Sequence, residues 1–363
     1  MSYDGAYNSH FFAVFLSLVR LGINRCSNSH IIVEDWGSIK DCAVKQGLSA
    51  VILDGIDKLS LGSRPPKPFL LNWIGEVMIA YDQRFDTYRR SISELAKWYN
   101  SNDFKMMVLK GFACSLNWPK PEHRPCGDID IWMFGQQKKA DALLSSDRGI
   151  KIDTSHHHHT VFQWEGFSVE NHYDFINIYH NKQNNELEKL FKKLGKDDAN
   201  YVEICGEKIY IPSPNLHALF LLHHMTTDFV STVVTLRQLL DWAFFINNNH
   251  KRIDWRWLMI VLEQFGMKKI FMIFNAICVE DLGFETAIFP TVQYNPVLKD
   301  KVLKEIVAPL FSAQMPSNIV KRVIYKYRRW RASEWKRKLC FNENMIDSFI
   351  SGVRSHLIKP STI

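Results

Sequence analysis

The chain has 363 residues, of which 46% are hydrophobic and 23% charged, and a formal net charge of +7. This composition, with only 17 glycines and 13 prolines, excludes a disordered, collagen-like or low-complexity protein and fits a globular chain of two or three packed subdomains. The seven cysteines are scattered and form no CxxC pair, which excludes a disulfide framework or a zinc ribbon and favours a reducing, cytoplasmic location.

The first hundred residues predict helices, because apolar residues recur there at helical spacing. The first apolar stretch has no basic residue before it and no cleavage site, so it is not predicted to be a signal peptide. The most apolar later stretch, 270–279, has half the roughly 20 residues that a membrane span needs, so no membrane segment is predicted. The predicted helical stretches are Phe11–Leu21, Trp36–Leu59 and Leu71–Tyr99, with Pro65, Pro66 and Pro68 between the last two.

From Lys105 the pattern changes to short β-rich runs. Glu165 and Gly166 separate two of these runs by the length and composition of a tight turn, which predicts an antiparallel hairpin. The predicted strands are Met106–Leu109, Asp128–Phe134, Ile150–Ile152, Val161–Trp164, Phe167–Tyr173, Val202–Cys205 and Lys208–Ile211.

After these strands, Ser213 and Pro214 form a helix start, and helices are predicted from there to the chain end. We therefore divide the chain into an N-terminal helical segment, 1–94, an α/β core, 95–212, and a C-terminal helical domain, 213–363. The fold class is α+β, with a small mixed or antiparallel sheet between helical segments.

The positive charge is concentrated in segment 321–338, which carries nine basic residues and one acid. Tyr325, Tyr327, Trp330 and Trp335 interleave with these charges, a pattern that suits contacts with phosphates and bases of nucleic acid. A helix whose aromatic residues pack inward and whose cations are solvated would show the same pattern, and we favour that interpretation.

The informative motif is Gly127-Asp128-Ile129-Asp130-Ile131. Residues two apart in a strand point to the same side, so Asp128 and Asp130 share one face while Ile129 and Ile131 face the core. Adjacent carboxylates need a cation, and Mg²⁺ binds one or two carboxylates together with substrate phosphates. This pair therefore indicates metal-assisted phosphoryl transfer.

Such chemistry needs a third carboxylate from a neighbouring strand, and Glu170 is the candidate. In Phe167–Tyr173 the alternation places Ser168, Glu170 and His172 on one face of the strand. An exposed charge on an edge strand is the alternative explanation for Glu170.

These motifs, in this order, resemble the uncharacterised bacterial nucleotidyltransferase family of the DNA polymerase β-like superfamily. The segments that carry the resemblance are Leu109-Lys110-Gly111, Arg124, Gly127–Asp130, Val169–His172, Leu236–Ala243 and Ile253–Trp255. The resemblance implies a polymerase β-like core in which Asp128 and Asp130 bind the metals and Glu170 is the third carboxylate.

The superfamily has Ser or a second Gly where this chain has Phe112. We therefore expect the backbone at Gly111 and the cations Lys110 and Arg124 to contact the nucleotide phosphates. Gly127 and His172 complete the predicted nucleotide-binding set. A loop cation that only balances nearby acids is the alternative for Arg124.

The resemblance implies an enzyme that uses Mg²⁺ or Mn²⁺ to transfer a nucleoside monophosphate from a nucleoside triphosphate to a hydroxyl. The transfer of AMP from ATP is the most plausible case. The acceptor could be a small molecule, a tRNA end or a protein. The competing hypotheses are a non-catalytic nucleic-acid-binding protein that uses residues 321–338, and a histidine-dependent metal hydrolase.

Two groups of histidines stay open at this point. His156–His159 precede a strand, and two of the four are expected to face the active-site side, with a dedicated zinc site disfavoured for want of an acid or cysteine at standard spacing. His223 and His224, followed by Asp228, match a histidine-aspartate phosphohydrolase poorly, and we expect either to pack or to line a cleft.

Overall fold

The computed structural model describes residues 9–178, 183–197, 199–290, 293–311 and 316–341. The part of the predicted C-terminal helical domain beyond residue 341 lies outside the described residues. Among the residues described, every helix is too short or too polar to cross a membrane.

Helices fill the N-terminal part, as predicted, with two differences in detail. The stretch predicted as Trp36–Leu59 is two helices, because Gly47 adopts a left-handed conformation at φ +67° and ends the first. The last predicted helix begins earlier and contains a π-helical turn, Met78–Gln83. The helices are α1 (Ser9–Gly22), α2 (Trp36–Gln46), α3 (Ser49–Asp57), α4 (Lys67–Val77) and α5 (Arg84–Ser101).

A six-stranded mixed sheet follows, in the order β3-β4-β2-β1-β6-β5. The strands are β1 (Met107–Val108), β2 (Ile129–Trp132), β3 (His159–Trp164), β4 (Phe167–His172), β5 (Tyr201–Ile204) and β6 (Glu207–Tyr210). β2 and β4 are parallel neighbours, as are β1 and β6, and the other pairs are antiparallel. The prediction of a mixed sheet between helical segments is thus confirmed.

The turn between β3 and β4 is the predicted hairpin, with positive φ at both Glu165 and Gly166. The prediction of a strand at Ile150–Ile152 is wrong. The preceding helix ends at Arg148, with Gly149 as its left-handed C-cap, and the segment that follows makes a single bridge, from Asp153 to Val161.

Among the described residues, three α-helices and one short 3-10 helix interrupt the strand region, and the C-terminal part is helical, as predicted. The first three are α6 (Phe112–Ser115), α7 (Gln137–Arg148) and α8 (Asn184–Gly195). The others are α9 (Pro214–Ser231), α10 (Leu236–Asn249), α11 (Trp255–Gln264), α12 (Lys268–Glu280), α13 (Pro296–Val307), α14 (Ile319–Ala332) and α15 (Glu334–Cys340).

The sheet separates two hydrophobic cores. On one face, Ile129, Ile131 and Val169 pack with Tyr88 of α5 and Leu144 of α7. The other core joins the N-terminal helices to α9–α13. Helices α9 and α10 stand over this second face and form a cleft with it, and Asp130 of β2 lies in the wall of that cleft. The division at 94/95 and 212/213 stays a prediction.

Candidate functional site

The register of two strands brings together two of the predicted carboxylates. In the parallel pair of β2 and β4, Asp130 lies directly beside Glu170. The alternation along β4 is the expected one, because Asn171 points the other way and donates its amide to Asp141 of α7 at 2.7 Å. Asp130 is 5% exposed, so its charge is placed where water screens it little.

A lysine and a histidine hold the Asp130 carboxylate. The Lys110 ammonium lies 2.8 Å from Oδ1, and Nε2 of His172 lies 3.0 Å from the same oxygen. Burial works to raise the pKa of Asp130, but the charge of Lys110 and the contact with His172 outweigh it and hold that pKa well below its ordinary value. Asp130 is therefore a carboxylate at neutral pH.

Glu170 belongs to the same network. Its Oε2 lies 3.6 Å from Nε2 of His172 and 3.7 Å from Nδ1 of His159. Burial works to raise the pKa of Glu170, and the contact with His172 reverses the sign and lowers it. Conversely, burial works to lower the pKa of His172, but its contacts with Asp130 and Glu170 raise it.

Asp128 lies just before β2 and is exposed at the mouth of the cleft. Its backbone carbonyl accepts a hydrogen bond of 2.8 Å from the hydroxyl of Tyr88, which anchors the loop to α5. Partial burial and the negative charge of Asp130 raise the pKa of the Asp128 carboxyl. The pair thus carries electrostatic repulsion that a bound cation would relieve.

Gly111 turns the chain between β1 and α6 at a position that excludes a side chain. Its φ is +47°, and a Cβ there would lie 2.6 Å from the hydroxyl oxygen of Tyr88. The ring of Phe112 is buried against Phe85 and Tyr88, with ring centroids 6.4 Å apart in each pair. Position 112 is therefore a core position in this chain, whereas Gly111 lines the cleft.

Arg124 is buried in an ion pair with a residue of α10. Its Nε and Nη2 donate to the two carboxylate oxygens of Asp241 at 2.8 and 3.0 Å. The indole of Trp118 donates to the same carboxylate at 2.8 Å. Arg124 borders the cleft, but the strongest donors of its guanidinium are engaged by Asp241, which favours the role of a balancing cation.

The cleft itself is a cavity of about 190 Å³ between the sheet and helices α9 and α10. Its wall includes Lys110, Gly111, Arg124, Gly127, Asp128 and Asp130 on the sheet side. The helices contribute residues that the sequence reasoning had not proposed as site residues, namely Arg237, Gln238 and Asp241. The motif Leu236–Ala243 contains all three, so the resemblance already pointed to this helix.

Arg237 is the cation on the helical wall. Its Nη1 lies 3.8 Å from Asp241, and its side chain is 27% exposed. Burial and the neighbouring charge of Arg124 lower the pKa of Arg237. Arg237 shares the carboxylate of Asp241 with Arg124 and adds positive charge to the cavity wall, where it can attract an anion.

His224 lines the cleft, one of the two outcomes expected for this pair, and its Nε2 lies 3.3 Å from Asp228. Burial and the charge of Lys110 lower the pKa of His224 to about 4, so the ring is neutral at neutral pH. His223 is buried, with its ring 6.0 Å from that of Phe191.

The four-histidine run also reaches the site. His159 lies opposite His172 in the hairpin, and the ring centroid of His158 lies 5.4 Å from that of His172. Two of the four, His158 and His159, therefore stand next to the carboxylates. Burial lowers the pKa of His159 to about 4.

The basic segment forms α14 and α15 on the outside of the helical part. Lys336 and Lys338 make ion pairs with Glu305 and Glu334 at 2.8 and 2.9 Å. Trp335 packs on Phe229, whereas Tyr327 is 60% exposed. The segment is thus partly engaged in packing and partly open.

The comparisons with known proteins bear on the family. Residues 33–283, more than half of the chain, match the model of a family described as "Uncharacterised nucleotidyltransferase". Among solved structures, the chain is similar to an antigenic nucleotidyltransferase-like protein from Paracoccidioides brasiliensis, with 14% identity, a TM-score of 0.35, and coverage of 56% of this chain and 97% of that chain. No curated protein matches.

Proposed function

This chain belongs to the uncharacterised nucleotidyltransferase family, and on that premise we propose that it transfers a nucleoside monophosphate from a nucleoside triphosphate to an acceptor hydroxyl. AMP from ATP is the transfer that we propose first. The acceptor is a small molecule, a tRNA end or a protein side chain. The observation that carries the proposal is the position of Asp130, which lines a cleft that also holds Lys110, Arg124 and Arg237 and pairs with Glu170 across β2 and β4.

The donors fit the divalent metal that this chemistry requires. Asp128, Asp130 and Glu170 offer only oxygen atoms, which Mg²⁺ and Mn²⁺ prefer, and a cation would offset the burial and the charge of Asp130 that together raise the pKa of Asp128. These three residues would hold the ion. When bound, it would neutralise negative charge on the phosphates and on the leaving pyrophosphate.

The chain's own residues would supply binding and proton transfer. Arg237 and the ammonium of Lys110 would bind the triphosphate, with the backbone at Gly111 and Gly127 close to it. At about 190 Å³ the cavity is smaller than the roughly 300–1,000 Å³ of pockets that enclose a whole drug-sized ligand. It therefore suits the phosphates, with the nucleoside extending outward.

In the reaction, the acceptor oxygen would form a bond to the α-phosphorus while the bond from that phosphorus to the bridging oxygen breaks and pyrophosphate leaves. Glu170 would accept the proton of the hydroxyl as general base. His172 would hold Asp130 and Glu170 in place through its contacts of 3.0 and 3.6 Å. Arg124 would act as a positioning residue that fixes Asp241, and through it Arg237.

The test is transfer of label from each of the four α-labelled nucleoside triphosphates to components of a cell extract, with Mg²⁺ or Mn²⁺. We expect label on an acceptor with the wild type, and none with the double variant Asp128→Ala plus Asp130→Ala. Glu203→Ala removes an exposed carboxylate elsewhere on the sheet and should keep full transfer. Equal labelling by the wild type and the double variant would overturn the proposal.

A second candidate function rests on the exposed ring of Tyr327 amid the cations of α14. It is non-catalytic binding of nucleic acid through residues 321–338. Such a protein would lose affinity for RNA or DNA when Arg328 and Arg331 are neutralised and would be indifferent to Asp130→Ala.

A further inference from the structure

Three imidazoles and a carboxylate converge beside the proposed nucleotidyl-transfer residues. The antiparallel hairpin sets His159 directly opposite His172, and His158 precedes it. One ring nitrogen of each of His158, His159 and His172 lies within 4.8 Å of the others. Glu170, on the same face of β4, completes a group of four.

Ring nitrogens in this group lack hydrogen-bond partners. Both nitrogens of His159 and Nδ1 of His158 are buried and have no hydrogen-bond partner among the described residues, and Nδ1 of His159 has only the longer contact with Glu170. The side chain of His159 is only 9% exposed. A buried polar atom without a partner costs about 1–3 kcal/mol, so such atoms in a folded protein point to a missing partner.

The distances suit a metal ion as that partner. Glu170 Oε2 lies 3.7 Å from Nδ1 of His159 and 3.6 Å from Nε2 of His172. Bonds of about 2.0–2.1 Å to a tetrahedral zinc ion place neighbouring ligand atoms ~3.3 Å apart. These pairs therefore need to close by only a few tenths of an ångström.

The second nitrogen of His172 is oriented as metal-binding histidines are. Its Nδ1 lies 3.3 Å from the carbonyl oxygen of Asp174, a contact that places a proton on Nδ1 and leaves Nε2 to bind the metal. Nε2 faces the carboxylates of Asp130 and Glu170, at 3.0 and 3.6 Å, and in the metal-free protein it shares a proton with Asp130. A metal ion bound at Nε2 would take the place of that proton, while Nδ1 keeps its hydrogen bond to the carbonyl oxygen.

We propose that His158, His159, His172 and Glu170 form a binding site for a divalent transition-metal ion of the zinc and cobalt class. Imidazole nitrogens favour such ions over Mg²⁺, which prefers oxygen ligands alone. The site is thus distinct in its selectivity from the oxygen-only set of Asp128, Asp130 and Glu170, although both use Glu170. It is defined by its ligands and does not rest on nucleotidyl transfer.

The test is metal binding by the full chain without nucleotide, after removal of metals with a chelator. Co²⁺ is titrated while its visible absorption bands are recorded, and Zn²⁺ is then used to displace it. We expect the wild type to give the intense bands of a nitrogen-rich site of low coordination number, and excess Mg²⁺ not to remove them. Binding should weaken at least about 100-fold in His158→Ala plus His159→Ala, since even outer-shell partners of metal ligands contribute about 10–100-fold.

His156→Gln is the matched control, because His156 belongs to the same run but lies outside the ligand group, and glutamine keeps a planar side chain against the ring of His159, whose centroid lies 4.6 Å from that of His156. It should bind Co²⁺ as the wild type does. An equal loss in this control would mean that the run chelates metal as an exposed tag does, and it would overturn the proposal. The proposal would also be overturned if the wild type bound Co²⁺ no more tightly than the double variant does.

His159→Gln, checked by circular dichroism, replaces the double variant if that variant does not fold, and the same weakening is expected. The readout separates this proposal from the preceding one. Cobalt binding with no labelled acceptor would support the metal site and refute the transferase proposal. A labelled acceptor without cobalt binding would support the transferase proposal and refute the metal site.

Discussion

The ion pair between Arg124 and Asp241 should be a main support of the cleft, and it can be tested by a double-mutant cycle. The two side chains are 5% and 4% exposed and are joined by two hydrogen bonds of 2.8 and 3.0 Å. Asp241→Ala would leave the guanidinium of Arg124 buried beside that of Arg237 without its carboxylate. It would also leave the indole N–H of Trp118 without an acceptor.

The expected cost follows from this burial. Removing one partner of a buried ion pair costs about 3–5 kcal/mol of unfolding free energy, because the remaining charge stays uncompensated. Arg124→Met should cost a similar amount by exposing the charge of Asp241 to an apolar neighbour. In the double variant neither charge remains, so its cost should fall short of the sum by about 2–3 kcal/mol.

The assay is urea unfolding of the wild type, the two single variants and the double variant, followed by circular dichroism. Glu334→Ala breaks an ion pair whose side chains are 42% and 63% exposed and should cost at most about 1 kcal/mol. Additivity of the two single variants within about 0.5 kcal/mol would refute the reasoning, because it would mean that Arg124 and Asp241 do not depend on each other.

Three further predictions concern other residues of the cleft and its support. Gly111→Ala should lower the unfolding free energy by about 1–3 kcal/mol, because its Cβ meets the Tyr88 hydroxyl, whereas Gly127→Ala, with open space around it, should not; thermal unfolding checks both. Arg237→Gln should raise the KM for the nucleoside triphosphate at least about tenfold, the value of a charged hydrogen bond, and an unchanged KM would remove Arg237 from the nucleotide site. Burial lowers the pKa of His217 to about 4 from 6.5, so its contribution is complete above pH 6.5 and is lost as the pH falls toward 4. When the pH is lowered from 7.5 to 5, the unfolding free energy of His217→Leu should therefore fall by about 2 kcal/mol less than that of the wild type, as measured by urea unfolding. Equal decreases in the two proteins would contradict this.

The sequence was most informative where the pattern is local. The alternation of Asp128 to Ile131 and of Ser168 to His172 predicts which side chains share a face, since residues two apart in a strand always do. Glu165-Gly166 predicts the hairpin for the same reason, because the turn is determined by its own two residues. The register of Asp130 with Glu170 could be anticipated only through the resemblance, since the two strands are separated by a helix and another strand.

Contacts between segments that are distant in the sequence could not be predicted from the local residue pattern. Arg124 pairs with Asp241, 117 residues away, so a guanidinium that looks available in the sequence is engaged in the structure. The segment Ile150–Ile152 has strand-like composition, but the chain there makes a single bridge, from Asp153 to Val161 of the edge strand β3. His159 reached the site through cross-strand pairing with His172, which spacing along the chain does not reveal.

The most direct test of the central claim is a crystal structure with a non-hydrolysable nucleoside triphosphate and Mn²⁺, in which the metal is located by its anomalous scattering. We predict a Mn²⁺ peak bonded to the carboxylates of Asp128 and Asp130, with the triphosphate in the cleft beside Arg237. A nucleotide bound elsewhere on the chain, or a triphosphate in the cleft with no metal bonded to either aspartate, would contradict the account.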